Sequence, residues 1–117
     1  MAKVTLSDKL EMVSTHWDPH VVAAYNGNDV MVVKVCGEFP FNLHAETDDF
    51  FLILSGEVVM DYEGAPSDIL RAGDVCIVPR GVTHRPRAVA EAHILLIEPK
   101  GEPNTGNPET ASAKPSI

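Results

Sequence analysis

The chain has 117 residues, enough for one domain with a modest core, and its 44% hydrophobic content sets it apart from disordered chains. Nine Lys and Arg against 17 Asp and Glu give a formal charge of -8, which repels phosphate backbones and excludes nucleic acid as an expected partner while suiting a cationic ligand or a divalent metal. No apolar run reaches the roughly 18 residues of a membrane helix, and MAKVTLSDKLE lacks the apolar stretch of a signal peptide, so a cytoplasmic location with no membrane partner is expected.

Leu6, Leu10 and Val13 stand at helical spacing, with Thr5 or Ser7 as a cap, and predict a short helix or turn against the body. HWDPH (16–20) follows. Pro19 holds Asp18 extended, Trp17 is expected to anchor the N-terminal arm (1–20), and His16 and His20 are read as surface or structural groups. From Val21 the pattern is that of short strands: 21–25, the hairpin dipeptide Asn26-Gly27, then 30–36. Residues 50–54 and 58–62 form another pair, followed by short strands at 69–70 and 75–78 and a long apolar strand at 93–97. Segments of four to seven residues with turn signals about every ten imply an all-β sandwich or barrel over 21–100.

Cys36 and Cys76 lack CxxC spacing and read as free thiols packed in strands. After Pro99 the stretch GEPNTGNPETASAKPSI is rich in Pro, Gly and small polar residues and predicts an extended or disordered tail over 101–117.

Two stretches carry the chemistry: GEFPFNLHAETDDFFLILSG (37–56) and GDVCIVPRGVTHRPRA (73–88). Asn42 and His44 share one side of an extended segment, Asp49 opens the next strand, and His84 arrives from the far stretch behind the Pro79–Gly81 turn. Imidazole nitrogen with carboxylate oxygen suits Zn, Ni, Fe or Mn, and two His with one carboxylate is a set used by non-haem iron oxygenases. A pocket of hydrogen-bonded polar residues without metal is the competing reading. Tyr62, His93 and Arg80 are candidate substrate-binding residues: Tyr62 for its hydroxyl, His93 at the start of the last strand, and Arg80 in the basic patch with Arg85 and Arg87.

These stretches resemble the two signature motifs of the cupin superfamily, small jelly-roll barrels also described as double-stranded β-helices. Gly37 and Gly56 fit the glycines of the first motif, His44 its second His, and Asp49 its Glu position. Gly73, Pro79, Gly81 and His84 fit the second motif. Asn42 stands where the first His belongs, and Ala88 replaces the closing Asn. The flanks are similar to those of small phosphomannose-isomerase-like cupins. The resemblance implies a divalent metal held by His44, Asp49 and His84, with Asn42 as a fourth ligand or orienting group, and a homodimer in which the N-terminal arm and the segment after Pro99 reach the partner. It further implies a metal-dependent enzyme acting on a small organic molecule, dioxygenase- or isomerase-like. A non-catalytic module binding a small sugar or organic acid, and an inert barrel, are the alternatives.

Overall fold

The hairpin forms where Asn26-Gly27 predicts it. In the computed structural model, which describes residues 1–117, Asn26 (φ 48°) and Gly27 (φ 77°) take the left-handed conformations of a tight two-residue turn. They join β1 (His20–Tyr25) to β2 (Asn28–Glu38). After a long loop come β3 (Asp49–Ser55), β4 (Glu57–Tyr62), β5 (Ala65–Arg71), β6 (Val75–Val78) and β7 (His84–Pro99). One short helix, α1 (Leu6–Glu11), lies against β2; Thr5 is its N-cap but makes no side-chain capping bond.

All strand pairings are antiparallel, in the order β1-β2-β7-β3-β6, with β4 pairing both β5 and β7. Strand β7 is the spine. Its first part pairs with β4 (Met60↔Pro86, Tyr62↔His84) and its last part with β3 (Phe50↔Ile97, Leu52↔Leu95), while β2 runs along both. A register shift between Val35 and Gly37 on β2 lets β7 bend, so that one strand serves both halves of the double-stranded β-helix. The sequence pattern predicted only 93–97 of this strand. Residues 84–92, with two arginines, Pro86, three alanines and a single β-branched residue, Val89, lack a strand signature, and cross-strand pairing overrides that weak propensity.

Period-two alternation builds the core. Phe51 and Ile53 of β3, Met31, Val33 and Val35 of β2, and Ile94 and Leu96 of β7 point inward and are buried. Each such side chain contributes about 1.5–3 kcal/mol on leaving water. Trp17 anchors the N-terminal arm: its Nε1–H donates to the Cys36 carbonyl at 2.9 Å, and its ring lies 5.0 Å from that of Phe39. Cys36 and Cys76 are free thiols. No helix is long and apolar enough to cross a membrane.

The segment after Pro99, expected to be an extended or disordered tail, runs on from β7 as an irregular strap with several turns. It forms no helix, but it returns along its own barrel. Val21 N–H donates to the Pro115 carbonyl at 2.8 Å, and Ile117 N–H donates to that of Val21 at 3.0 Å. Lys114 reaches the buried Glu98 at 2.8 Å. Backbone pairing and one ion pair hold this strap, where composition offered no apolar run to order it.

Candidate metal centre

The loop between β2 and β3 is stitched to the start of β7. Asn42 and His84 exchange two backbone hydrogen bonds at 2.9 Å, and Gly81 N–H donates to the His44 carbonyl at 2.8 Å. These bonds turn His44 and His84 into the barrel, where they are 2% and 1% exposed. Asp49, the first residue of β3, points inward in phase with Phe51 and Ile53. One of its oxygens, Oδ2, lies 3.0 Å from His84 Nε2 and 3.4 Å from His44 Nε2. His84 Nδ1–H donates to the Val82 carbonyl at 2.8 Å, which leaves Nε2 facing Asp49. The predicted convergence of His44, Asp49 and His84 is therefore present.

A fourth group belongs with them. Glu98 is 3% exposed, and its ligand oxygen lies with those of His44 and Asp49 inside a group whose atoms are all within 4.8 Å of one another. Its position had a readable signal, because Ile94, Leu96 and Glu98 continue one inward-facing alternation on β7. The run HILLIEP reads first as an apolar strand, which hides the glutamate at its end.

The electrostatics favour a cation at this point. Burial works against charge on His44, but the Asp49 carboxylate, backed by Glu98 and Glu102, outweighs it and raises the imidazole's pKa. Burial likewise opposes ionisation of Asp49, yet the His44 and His84 imidazoles against its carboxylate hold it below the usual carboxylate range. Glu98 is pushed up by burial and by the Asp49 charge, against the pull of Lys114 and His44. Both ring nitrogens of His44 and the Asp49 Oδ1 are buried without a hydrogen-bond partner. Such atoms forfeit their hydration unless something else meets them. A divalent cation among His44, Asp49 and Glu98, with His84 alongside, would satisfy one His44 ring nitrogen and the Asp49 carboxylate, and this mixed nitrogen and oxygen set fits Zn, Ni, Fe or Mn.

The other predicted residues fall elsewhere. Asn42 lines the cavity, but its Nδ2 donates to the Pro40 carbonyl at 3.1 Å and, more weakly, to that of His84 at 3.4 Å, so it clamps the loop. Tyr62 does not line the cavity: its hydroxyl donates to Asp68 at 2.7 Å and contacts Cys76 Sγ at 3.3 Å. Burial, with Cys76 and Asp68 beside it, pushes its pKa well up. His93 has the opposite strand phase to Ile94 and meets Glu91 at 3.2 Å, away from the cavity. Arg80 is exposed and tied to Asp48 at 3.2 Å. His16 and His20 take structural roles as expected, on Glu91 and on the Asp18 carbonyl.

The cavity itself is about 50 Å³, bordered by Asp49, His84, Glu98 and Asn42, with Trp17 and Phe39 among its walls. That holds an ion and one or two waters, well below the roughly 300–1,000 Å³ of sites that enclose larger ligands. Beside it, between the β2–β3 loop and the strap, lies an outer cleft of about 570 Å³ that shares Phe39 and Asn42 with it.

The cupin domain profile matches residues 29–98. A curated relative, the uncharacterized protein YdbB of Bacillus subtilis (strain 168), is 28% identical over 79 residues, covering 68% of this chain and 70% of its own. Among solved structures, a cupin-2 domain containing protein from Shewanella frigidimarina is 35% identical with a TM-score of 0.81, over 83% of this chain and 94% of that one. Hydroquinone 1,2-dioxygenase from Sphingomonas sp. TTNP3 shares the fold at 21% identity and a TM-score of 0.75, over 84% of this chain but 32% of its own. With the matched stretch enclosing His44, Asp49, His84 and Glu98, this chain belongs to the cupin family.

Proposed function

We propose that the protein is a metal-dependent cupin enzyme acting on a small organic molecule, with dioxygenase- or isomerase-like chemistry. The observation that carries this reading is the buried His44–Asp49–Glu98 group, with unpartnered His44 nitrogens, beside a cavity of about 50 Å³ that Asp49 and Glu98 line. A bound divalent metal would supply Lewis-acid polarisation of a substrate oxygen or activation of water or dioxygen.

The chain's own residues do the rest. His44, Asp49 and Glu98 would hold the ion, with His84 against Asp49. Phe51 packs edge-on to the His84 ring at 6.0 Å and limits its rotation. Trp17 and Phe39 form apolar parts of the cavity wall. A small organic substrate enters by the outer cleft, whose lining includes Phe39, Phe41 and the neutral side chains Asn42, Thr83 and Thr105. The same small volume disfavours enclosure of a sugar by a binding-only module.

We further propose a homodimer, supported by Ile69, Val75 and Ile77, which are 54%, 55% and 51% exposed on β5 and the edge strand β6. Light scattering of the purified chain at twice the monomer mass supports this, and monomer mass at all concentrations refutes it.

The activity reading is tested by loading the full chain with Fe(II), Mn(II), Ni(II) or Zn(II) and following oxygen uptake and product formation on a panel of small phenols, keto acids and hydroxy acids. Turnover that is lost in His44→Ala supports an enzyme. Metal and small-molecule binding without turnover selects the binding module instead.

A further inference from the structure

We infer that Glu102, on the C-terminal strap, is a positioning residue for His44. Resting on the metal reading above, the assignment makes the strap part of the centre. Glu102 Oε2 lies 3.8 Å from His44 Nδ1, on the side of the ring opposite Asp49. Both atoms are buried, and neither has a hydrogen-bond partner. The Glu102 side chain is only 16% exposed. A carboxylate and an imidazole left unpartnered side by side are each costly alone, and they satisfy each other if Nδ1 carries the proton. At 3.8 Å the contact is an ion-pair approach; shortening it by less than an ångström makes it a hydrogen bond. With Nδ1–H given to Glu102, the Nε2 lone pair is turned towards Asp49 and Glu98. A carboxylate behind a ligating histidine fixes the ring's tautomer and orientation in this way.

The strap is built to bring Glu102 to this place. Lys114 Nζ donates both to Glu98 and to the Glu102 backbone carbonyl, so one ammonium ties the strap to the floor of the centre. Glu102 N–H donates to the Pro99 carbonyl at 3.0 Å, turning the chain directly after β7. Gly106, at φ 76°, lies so close to the Leu43 carbonyl that a Cβ would overlap it, and that Cβ would stand 3.5 Å from the His44 Cα. The strap thus presses on the backbone that carries His44 while presenting a carboxylate to its ring.

Two measurements on the full-length chain test this. The first is the ring ¹⁵N spectrum of His44 in metal-free protein, for wild type, Glu102→Ala and Glu102→Gln. Glu102→Ala is expected to lower the fraction of His44 protonated at Nδ1 at least threefold, as the proton moves to Nε2 and Asp49. Glu102→Gln retains an acceptor oxygen and keeps most of that fraction. The second is Co(II) affinity by competition titration, in which Glu102→Ala is expected to bind roughly 10–100-fold more weakly, with Glu102→Gln between it and wild type. Glu102→Asp, which draws the carboxylate back by one methylene, serves if the alanine variant fails to fold, and is expected to give an intermediate shift in both.

Unchanged ring ¹⁵N shifts in Glu102→Ala overturn the inference, as does unchanged Co(II) affinity beside a wild type that binds the metal. A wild type that binds no Co(II) overturns the metal reading instead, and the ¹⁵N spectra still decide the role of Glu102.

Discussion

Asp49 and Glu98 stand across the β3–β7 ladder one step beyond the Phe50–Ile97 pair, both on the inward face. Two buried carboxylates this near repel each other, and a divalent ion is what makes their proximity favourable. Removing one of them therefore acts on metal affinity before it acts on fold. Glu98→Gln is expected to weaken Zn(II) or Fe(II) binding at least tenfold, and His44→Ala about 100-fold or more, beyond what loss of an outer partner brings. Calorimetric titration checks both. Wild-type affinity in Glu98→Gln would remove Glu98 from the centre.

The pH dependence of stability has a defined sign. Asp49 is lowered by its imidazole partners, so its contribution is present above its unfolded value of 3.8 and is lost as pH falls through the lower folded value. His44 is raised, so its contribution is complete below 6.5 and is lost as pH rises through the folded value. Glu98 is raised too, so its contribution is complete below 4.5 and fades as pH climbs. Metal-free protein is accordingly expected to lose thermal stability from pH 6 to pH 9. The gain in Tm on adding metal is expected to grow over the same interval, because the ion takes the place of protons. Melting curves with and without metal, recorded across that range, check this; a metal increment independent of pH contradicts it.

Gly106 and Gly27 separate backbone strain from steric exclusion. Both have positive φ, 76° and 77°, but a Cβ at Gly27 meets nothing within 4 Å, while one at Gly106 overlaps the Leu43 carbonyl. Gly27→Ala is expected to cost about 1–2 kcal/mol through the left-handed conformation alone. Gly106→Ala pays the same conformational term and also lifts the strap from the β2–β3 loop, so it should destabilise more and weaken metal binding as well. Equal denaturation midpoints and equal metal affinities for the two variants would show that the strap does not support the centre.

Much of this was written in local patterns. Short β-branched runs and turn dipeptides define the barrel, and Asn26-Gly27 turns as its chemistry requires. His44, Asp49 and His84 meet because strand phase and the Pro79–Gly81 turn direct them inward. What the local patterns missed depended on distant contacts. Glu98 hides at the end of an apolar run, and its partner Lys114 lies 16 residues on, in a segment whose composition predicts an extended or disordered tail. His93 is a candidate for the cavity because it opens the same run, yet its neighbour Ile94 holds the inward phase. Tyr62 and Arg80 are satisfied by Asp68 and Asp48, partners that no sequence spacing announces.

The most direct test is a crystal structure of the metal-loaded chain with anomalous data collected at the metal's absorption edge. The expected result is one peak per chain, within about 2.0–2.3 Å of a His44 ring nitrogen and of carboxylate oxygens from Asp49 and Glu98. A cavity that holds only water under metal-saturating conditions, or a peak bound by other residues, would contradict the account.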